Sequence, residues 1–80
     1  MTVLTVYSKP DCHLCEEAIA VLQRLQGEFV FDIEELDISS DDGLLRAYFE
    51  RIPVVALEGE ELCEFFVEET LVRERLESRR

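Results

Sequence analysis

The chain has 80 residues, a formal net charge of −11 and a hydrophobic content of 48%. That length holds a single domain over residues 1–80, because two cores cannot be built from it, and the apolar content excludes a disordered chain. Nineteen acidic against eight basic residues exclude a nucleic-acid surface, which needs clustered Lys and Arg, and repel an anionic membrane.

Val3 to Tyr7 is a short apolar run with β-branched residues and reads as a strand buried on both faces. Ser8-Lys9-Pro10-Asp11 breaks it, and Asp11 is placed to cap the helix that follows. Apolar residues at 14, 18, 21, 22 and 25 form one helical face, and Gln26-Gly27 ends it, with Gly27 suited to a left-handed C′ position. Phe29, Phe31 and Ile33 alternate with Asp32 and Glu34 as a half-buried strand. Leu36 and Ile38 lie on the other phase, which predicts a bulge or a strand end near Glu34-Glu35. Ser39-Ser40-Asp41-Asp42 offers N-caps for a short helix with a core face of Leu44, Leu45, Tyr48 and Phe49. Ile52 precedes Pro53 and is pushed out of the helical region. Val54 to Leu57 is a second continuous apolar strand, Glu58-Gly59 a hairpin turn, and Glu61 to Phe65 a returning strand of irregular alternation. Residues 68–78 close the chain as a helix with Leu71, Val72 and Leu76 inward, and with Arg73, Arg75 and Arg79 complementing its C-terminal end.

The order β-α-β-α-β-β-α implies an α/β domain. Its four-stranded mixed sheet has a parallel first pair, a right-handed crossover and an antiparallel hairpin. The two continuous apolar strands belong at its centre, side by side, with three helices covering its faces. No segment is apolar for long enough to span a bilayer. Met1-Thr2-Val3-Leu4 lacks the features of a secretory signal, so a reducing cytoplasm is expected, where cysteines serve reactivity rather than staples.

Two of the three cysteines stand at C-x-x-C spacing in Cys12-His13-Leu14-Cys15, between the first strand and the first helix. Free amides and the dipole at a helix start stabilise an anion, so the Cys12 thiol should fall below its ordinary value of about 8.5. A fall to about 7 would raise the thiolate share at neutral pH from roughly 3% to about half. Lys9 and a protonated His13 would add to this, and Asp11 would oppose it. Residues three apart share a helix face, which brings Cys12 and Cys15 within reach of a reversible disulfide. Cys12, nearer the exposed helix start, is the natural nucleophile, and Cys15 the resolving thiol. The same pair is compatible with two other readings, a metal or iron–sulfur carrier and a non-catalytic interaction module. A metal site within the chain is not expected, because Cys63 and His13 are the only remaining soft ligands. Cys63 reads as a small apolar filler rather than a third redox partner.

Tyr7-Ser8-Lys9-Pro10-Asp11-Cys12-His13-Leu14-Cys15 resembles the active-site segment of glutaredoxins, and Arg51-Ile52-Pro53-Val54 resembles that family's cis-proline loop. The element order agrees, and the Cys-His-Leu-Cys-Glu version is most similar to the small bacterial glutaredoxin-like proteins. The resemblance implies a thioredoxin-like fold, disulfide reductase activity with no bound cofactor, and Cys12 and Cys15 as catalytic residues. It also implies a cis Ile52–Pro53 peptide facing the dithiol, with Ile52, Pro53, Lys9 and Arg51 contacting substrate. The expected partner of this monomer is a disulfide-bearing protein or a small-molecule disulfide. The resemblance further implies glutathione as electron donor. However, Cys63-Glu64-Phe65-Phe66 stands where glutathione-using members carry a Gly-Gly pair and an Asp, so a protein disulfide or another donor is the competing expectation.

Overall fold

The computed structural model describes residues 2–78. Its elements are β1 (Val3–Ser8), α1 (His13–Leu25), β2 (Asp32–Asp37), a 3-10 turn (Ile38–Ser40), α2 (Asp42–Tyr48), β3 (Val54–Leu57), β4 (Glu60–Glu64) and α3 (Glu69–Glu77). The sheet order is β2-β1-β3-β4, so the two continuous apolar strands are its central pair, as expected from their lack of alternation. β1 runs parallel to β2 and antiparallel to β3, and β3 pairs antiparallel with β4 through the Glu58-Gly59 turn. Both turn residues have positive φ, 49° and 91°, which matches the right-handed twist of the flanking strands.

Leu4 and Val6 lie opposite Leu57 and Val55, so these four side chains share one face of the sheet. There they form the main core with Leu22 and Leu25 of α1 and Val72 and Leu76 of α3. Tyr7 has the opposite parity. Its ring stacks on Tyr48 of α2 with centroids 4.2 Å apart, which places α2 on the other face. Helices thus cover both faces of the sheet. None of them is long and apolar enough to cross a membrane among the described residues.

Several local expectations are corrected. Asp11 does not cap α1. It takes a φ of 61°, a region that Asp tolerates better than most residues, and Cys12 becomes the N-cap. Gly27 has no positive φ, because the helix ends instead through Gln26 in the right-handed region and a bond from Gly27 N–H to the Arg24 carbonyl. The second strand begins at Asp32, not at Phe29. The β1–β2 register begins at Val3 and Asp32, and buried Phe29 and Phe31 enter the main core from the segment before it. The β1–β2 register is unbroken, with no bulge at Glu34-Glu35. The irregularity lies between β3 and β4, where Leu62 is the extra residue between Glu61, opposite Ala56, and Cys63, opposite Val55. It explains why the alternation of the last strand assigns no faces.

In α2, only Leu44 and Tyr48 pack inward. Leu45 is 37% and Phe49 57% exposed, because a helix this short covers the sheet with one narrow stripe. Leu14 is likewise exposed in α1, and Cys15 takes the buried place in the first turn. The arginines of α3 act across elements. The Arg73 guanidinium donates to both carboxylate oxygens of Glu28, and Arg75 pairs with Glu60. The expectation for Arg79 lies outside the described residues.

Candidate active site

The sharp turn at Pro10-Asp11 leads β1 directly into the start of α1, and this places Cys12 and Cys15 at the carboxyl end of a central strand. The two cysteines are joined as a disulfide, with Cα atoms 5.2 Å apart. The Cys15 backbone N–H donates to Cys12 Sγ at 3.2 Å, so the sulfur occupies the acceptor role that a Ser or Asp side chain ordinarily fills at an N-cap. In the reduced protein the same free amide is a ready donor to a thiolate. Cys12 is half-buried, whereas Cys15 is 2% exposed. An incoming sulfur therefore reaches Cys12 first.

The disulfide rests on a second apolar cluster, separate from the main core. Cys15, Ile38 and Ile52 form its centre, with Tyr7, Cys12, Leu44 and Tyr48 packed around them. The Ile52–Pro53 peptide is cis, and Pro53 is buried beside it. The cluster brings Ile52 to Cys12 and Cys15, from which it is far apart in the chain.

The charged residues expected at the site are placed differently from one another. His13 opens α1 with an exposed ring, Nδ1 3.8 Å from Glu16 and Nε2 3.6 Å from Glu17. Lys9 is exposed and lines a separate polar recess with Ser8, Pro10, Glu35 and Asp37. Ser8 Oγ, buried at its base, donates to Glu35 at 2.9 Å. Arg51 is engaged by two carboxylates. It pairs with Glu61, its Nε donates to Glu64 at 2.9 Å, and its guanidinium lies 5.3 Å from the centre of the Tyr48 ring. Its charge is thus already answered within the fold. Cys63 packs in the main core, and burial pushes its thiol above the ordinary value. Among the described residues, no group of three or more His, Cys, Asp or Glu side chains is placed to hold a metal ion.

Sequence reasoning missed the Tyr7–Tyr48 pair, because only the fold brings Tyr7 of β1 against α2. Burial, then the neighbouring Tyr7 and the Glu61 carboxylate, push the Tyr48 hydroxyl from 10 up to about 12. The folded state therefore favours the neutral phenol. This contribution to stability is complete below pH of about 10, where the unfolded tyrosine begins to ionise, and is lost as pH rises through about 12. An ultraviolet phenolate titration should show one late step that Tyr48→Phe removes. Survival of that step in the variant would refute the assignment.

Sequence reasoning also missed an apolar groove beside the disulfide, between α1 and residues 65–67. The irregular stretch Glu64-Phe65-Phe66 was the available signal, but without the fold nothing placed it next to Leu14.

The Glutaredoxin-like domain family (DUF836) matches residues 3–77. The chain is similar to the solution NMR structure of protein Ne2328 from Nitrosomonas europaea, with 38% identity over 94% of this chain and 91% of that one and a TM-score of 0.86. It is also similar to the X-ray structure of protein XcR50 from X. campestris, with 30% identity over 94% and 96% of the two chains and a TM-score of 0.77. A mutant thioredoxin from Halobacterium salinarum shares 23% identity over 96% of this chain and 73% of that one, with a TM-score of 0.67. The fold is accordingly thioredoxin-like. No curated protein matches the chain.

Proposed function

This chain belongs to the glutaredoxin-like domain family, and on that premise we propose that it is a thiol–disulfide oxidoreductase working through Cys12 and Cys15. The observation that carries the reading is the disulfide at the start of α1, with one sulfur accessible and the other buried behind it.

In the reduced protein the Cys12 thiolate attacks one sulfur of a substrate disulfide. A Cys12–substrate mixed disulfide forms, the substrate S–S bond breaks, and the first thiolate leaves and takes up a proton. Cys15 then loses its proton and attacks Cys12 Sγ, closing the internal disulfide and expelling the second thiolate. Two electrons pass to the substrate. A thiol donor, either glutathione or a dithiol protein, returns them by the reverse exchange. The Ile52 backbone and Pro53 shape the place where an extended substrate lies against the dithiol, as in strand addition. Lys9, exposed beside the Pro10-Asp11 turn, is the cation that meets the substrate, whereas Arg51 stays held by Glu61 and Glu64, and Lys9 and a protonated His13 raise the thiolate share of Cys12. The protein acts as a monomer in the cytoplasm, where the surrounding thiols keep such a pair reduced.

The test is a coupled assay of insulin or a mixed-disulfide substrate, together with redox titration of the cysteines by alkylation and mass measurement. Cys12 and Cys15 are expected to titrate together as one two-electron couple, and the protein to turn over the substrate catalytically. Absence of turnover with every disulfide and donor tried would overturn the reading. So would a metal or iron–sulfur cluster held by the same cysteines in protein purified without oxygen.

A further inference from the structure

The groove beside the disulfide is built on a strained turn. The Phe66 N–H donates to the Glu64 carbonyl at 2.7 Å and closes a γ-turn centred on Phe65. Phe65 has a φ of 66°, where a bulky side chain is strained and glycine is not. The Phe65 N–H also donates to the Pro53 carbonyl at 2.9 Å, which ties this turn to the proline loop at the candidate active site. The turn leaves Phe65 41% and Phe66 68% exposed, so two aromatic rings are withheld from the core of a small chain.

Opposite them stands Leu14, which lies between the two active-site cysteines in the chain and is 38% exposed, with Ala18 and Val21 on the same helix face. The groove measures about 180 Å³. An apolar cavity of about 150 Å³ is enough for benzene, so a leucine- or phenylalanine-sized side chain fits. The surroundings are acidic. Glu17 lines the groove and lies, like Glu16, within 3.8 Å of the exposed His13 ring, exposed Glu68 adjoins Val67 in the chain, and Glu64 is held by Arg51. Arg51, the cation nearest in the chain to the proline loop, is held by Glu61 and Glu64.

We propose that this groove receives an apolar side chain next to the cysteine of a polypeptide disulfide whose flanking residues are basic. The inference rests on the dithiol reading above and names its substrate class. The apolar walls favour a large side chain, Leu14 carries the groove to the turn of α1 that holds the dithiol, and the carboxylates favour a cationic segment. A tripeptide thiol with two carboxylates meets the same field as repulsion.

The test uses short synthetic peptides, each carrying one cysteine in mixed disulfide with a chromogenic thiol. One has leucine beside the cysteine and lysines flanking it. The second replaces the leucine with glycine, and the third replaces the lysines with glutamates. The wild-type protein is expected to favour the leucine peptide over the glycine peptide by at least about tenfold in kcat/KM, the usual scale for an apolar pocket. Rising salt should slow the lysine peptide and speed the glutamate peptide. Phe66→Ser should collapse the leucine-to-glycine ratio to within about threefold, mainly through KM, and Phe66→Leu should retain most of it. Equal rates for the leucine and glycine peptides, or a ratio untouched by Phe66→Ser, would overturn the proposal while leaving the dithiol chemistry standing. Failure of all three peptides and of a small neutral disulfide would remove both.

Discussion

Cys12→Ser should lower disulfide-reductase turnover by about a thousandfold or more, since the attacking sulfur itself is lost. Cys15→Ser should fail differently. With Cys12 intact, the first exchange proceeds, but no buried thiol is present to release the substrate. The variant should therefore accumulate a stable mixed disulfide with its substrate, visible as an added mass that a reductant removes. The asymmetry follows from burial. Cys12 is the half-buried cap of the helix, and Cys15 is 2% exposed behind it. The opposite pattern, with trapping in Cys12→Ser and none in Cys15→Ser, would reverse the assigned roles. Equal and full activity in both variants would show that these thiols are bystanders.

Leu22→Ala should be among the most damaging of the conservative core truncations. Leu22 is fully buried on α1 and packs in the main cluster with β1, β3 and α3. Removing three carbons there costs about 2–5 kcal/mol, by lost burial and by the cavity left behind. Domains carry roughly 0.05–0.15 kcal/mol per residue, so a chain of this size has about 4–12 kcal/mol in total. The loss is thus a large share of all the stability present. It should lower the melting temperature by about 8–40 °C, at about 4–8 °C per kcal/mol for a domain of this length. Leu45→Ala is the control, because Leu45 stands on the outer side of α2 and its truncation should cost less than about 1 kcal/mol. Equal melting temperatures for the two variants would contradict the packing described above.

The Leu22 and Leu45 pair also illustrates how far the sequence could be read. Leu22 belongs to a long helical stripe, and that periodicity alone marks it as core. Leu45 has the same spacing relative to Tyr48 and Phe49, but α2 spans only seven residues, and so short a stripe does not determine which side faces the sheet. The start of the first helix shows the same limit. Asp11 is a better cap than Cys12 on propensity, yet the turn at Pro10-Asp11 places Asp11 in the left-handed region and gives the cap to the sulfur. Phe29 and Phe31 alternate like strand residues, but the β1–β2 register begins at Asp32.

By itself the sequence determined the element order, the central placement of Val3–Tyr7 and Val54–Leu57, and the C-x-x-C pair at a helix start. These depend on local periodicity, on chain punctuation and on the residues' own chemistry, all of which are present before folding. Only the tertiary structure decided which charges are free and which apolar residues meet. Arg51 looks like a cation available to a substrate until the hairpin brings Glu61 and Glu64 to it. The −11 charge by itself speaks against nucleic acid and an anionic membrane. In the folded chain some of the acids are engaged in such internal pairs, and Glu17, 3.6 Å from His13 Nε2, lines a groove of Leu14, Phe65 and Phe66 that exists only because residues 14 and 65 fold together. Contacts of that separation are fixed by the closing of the sheet, and no local pattern encodes them.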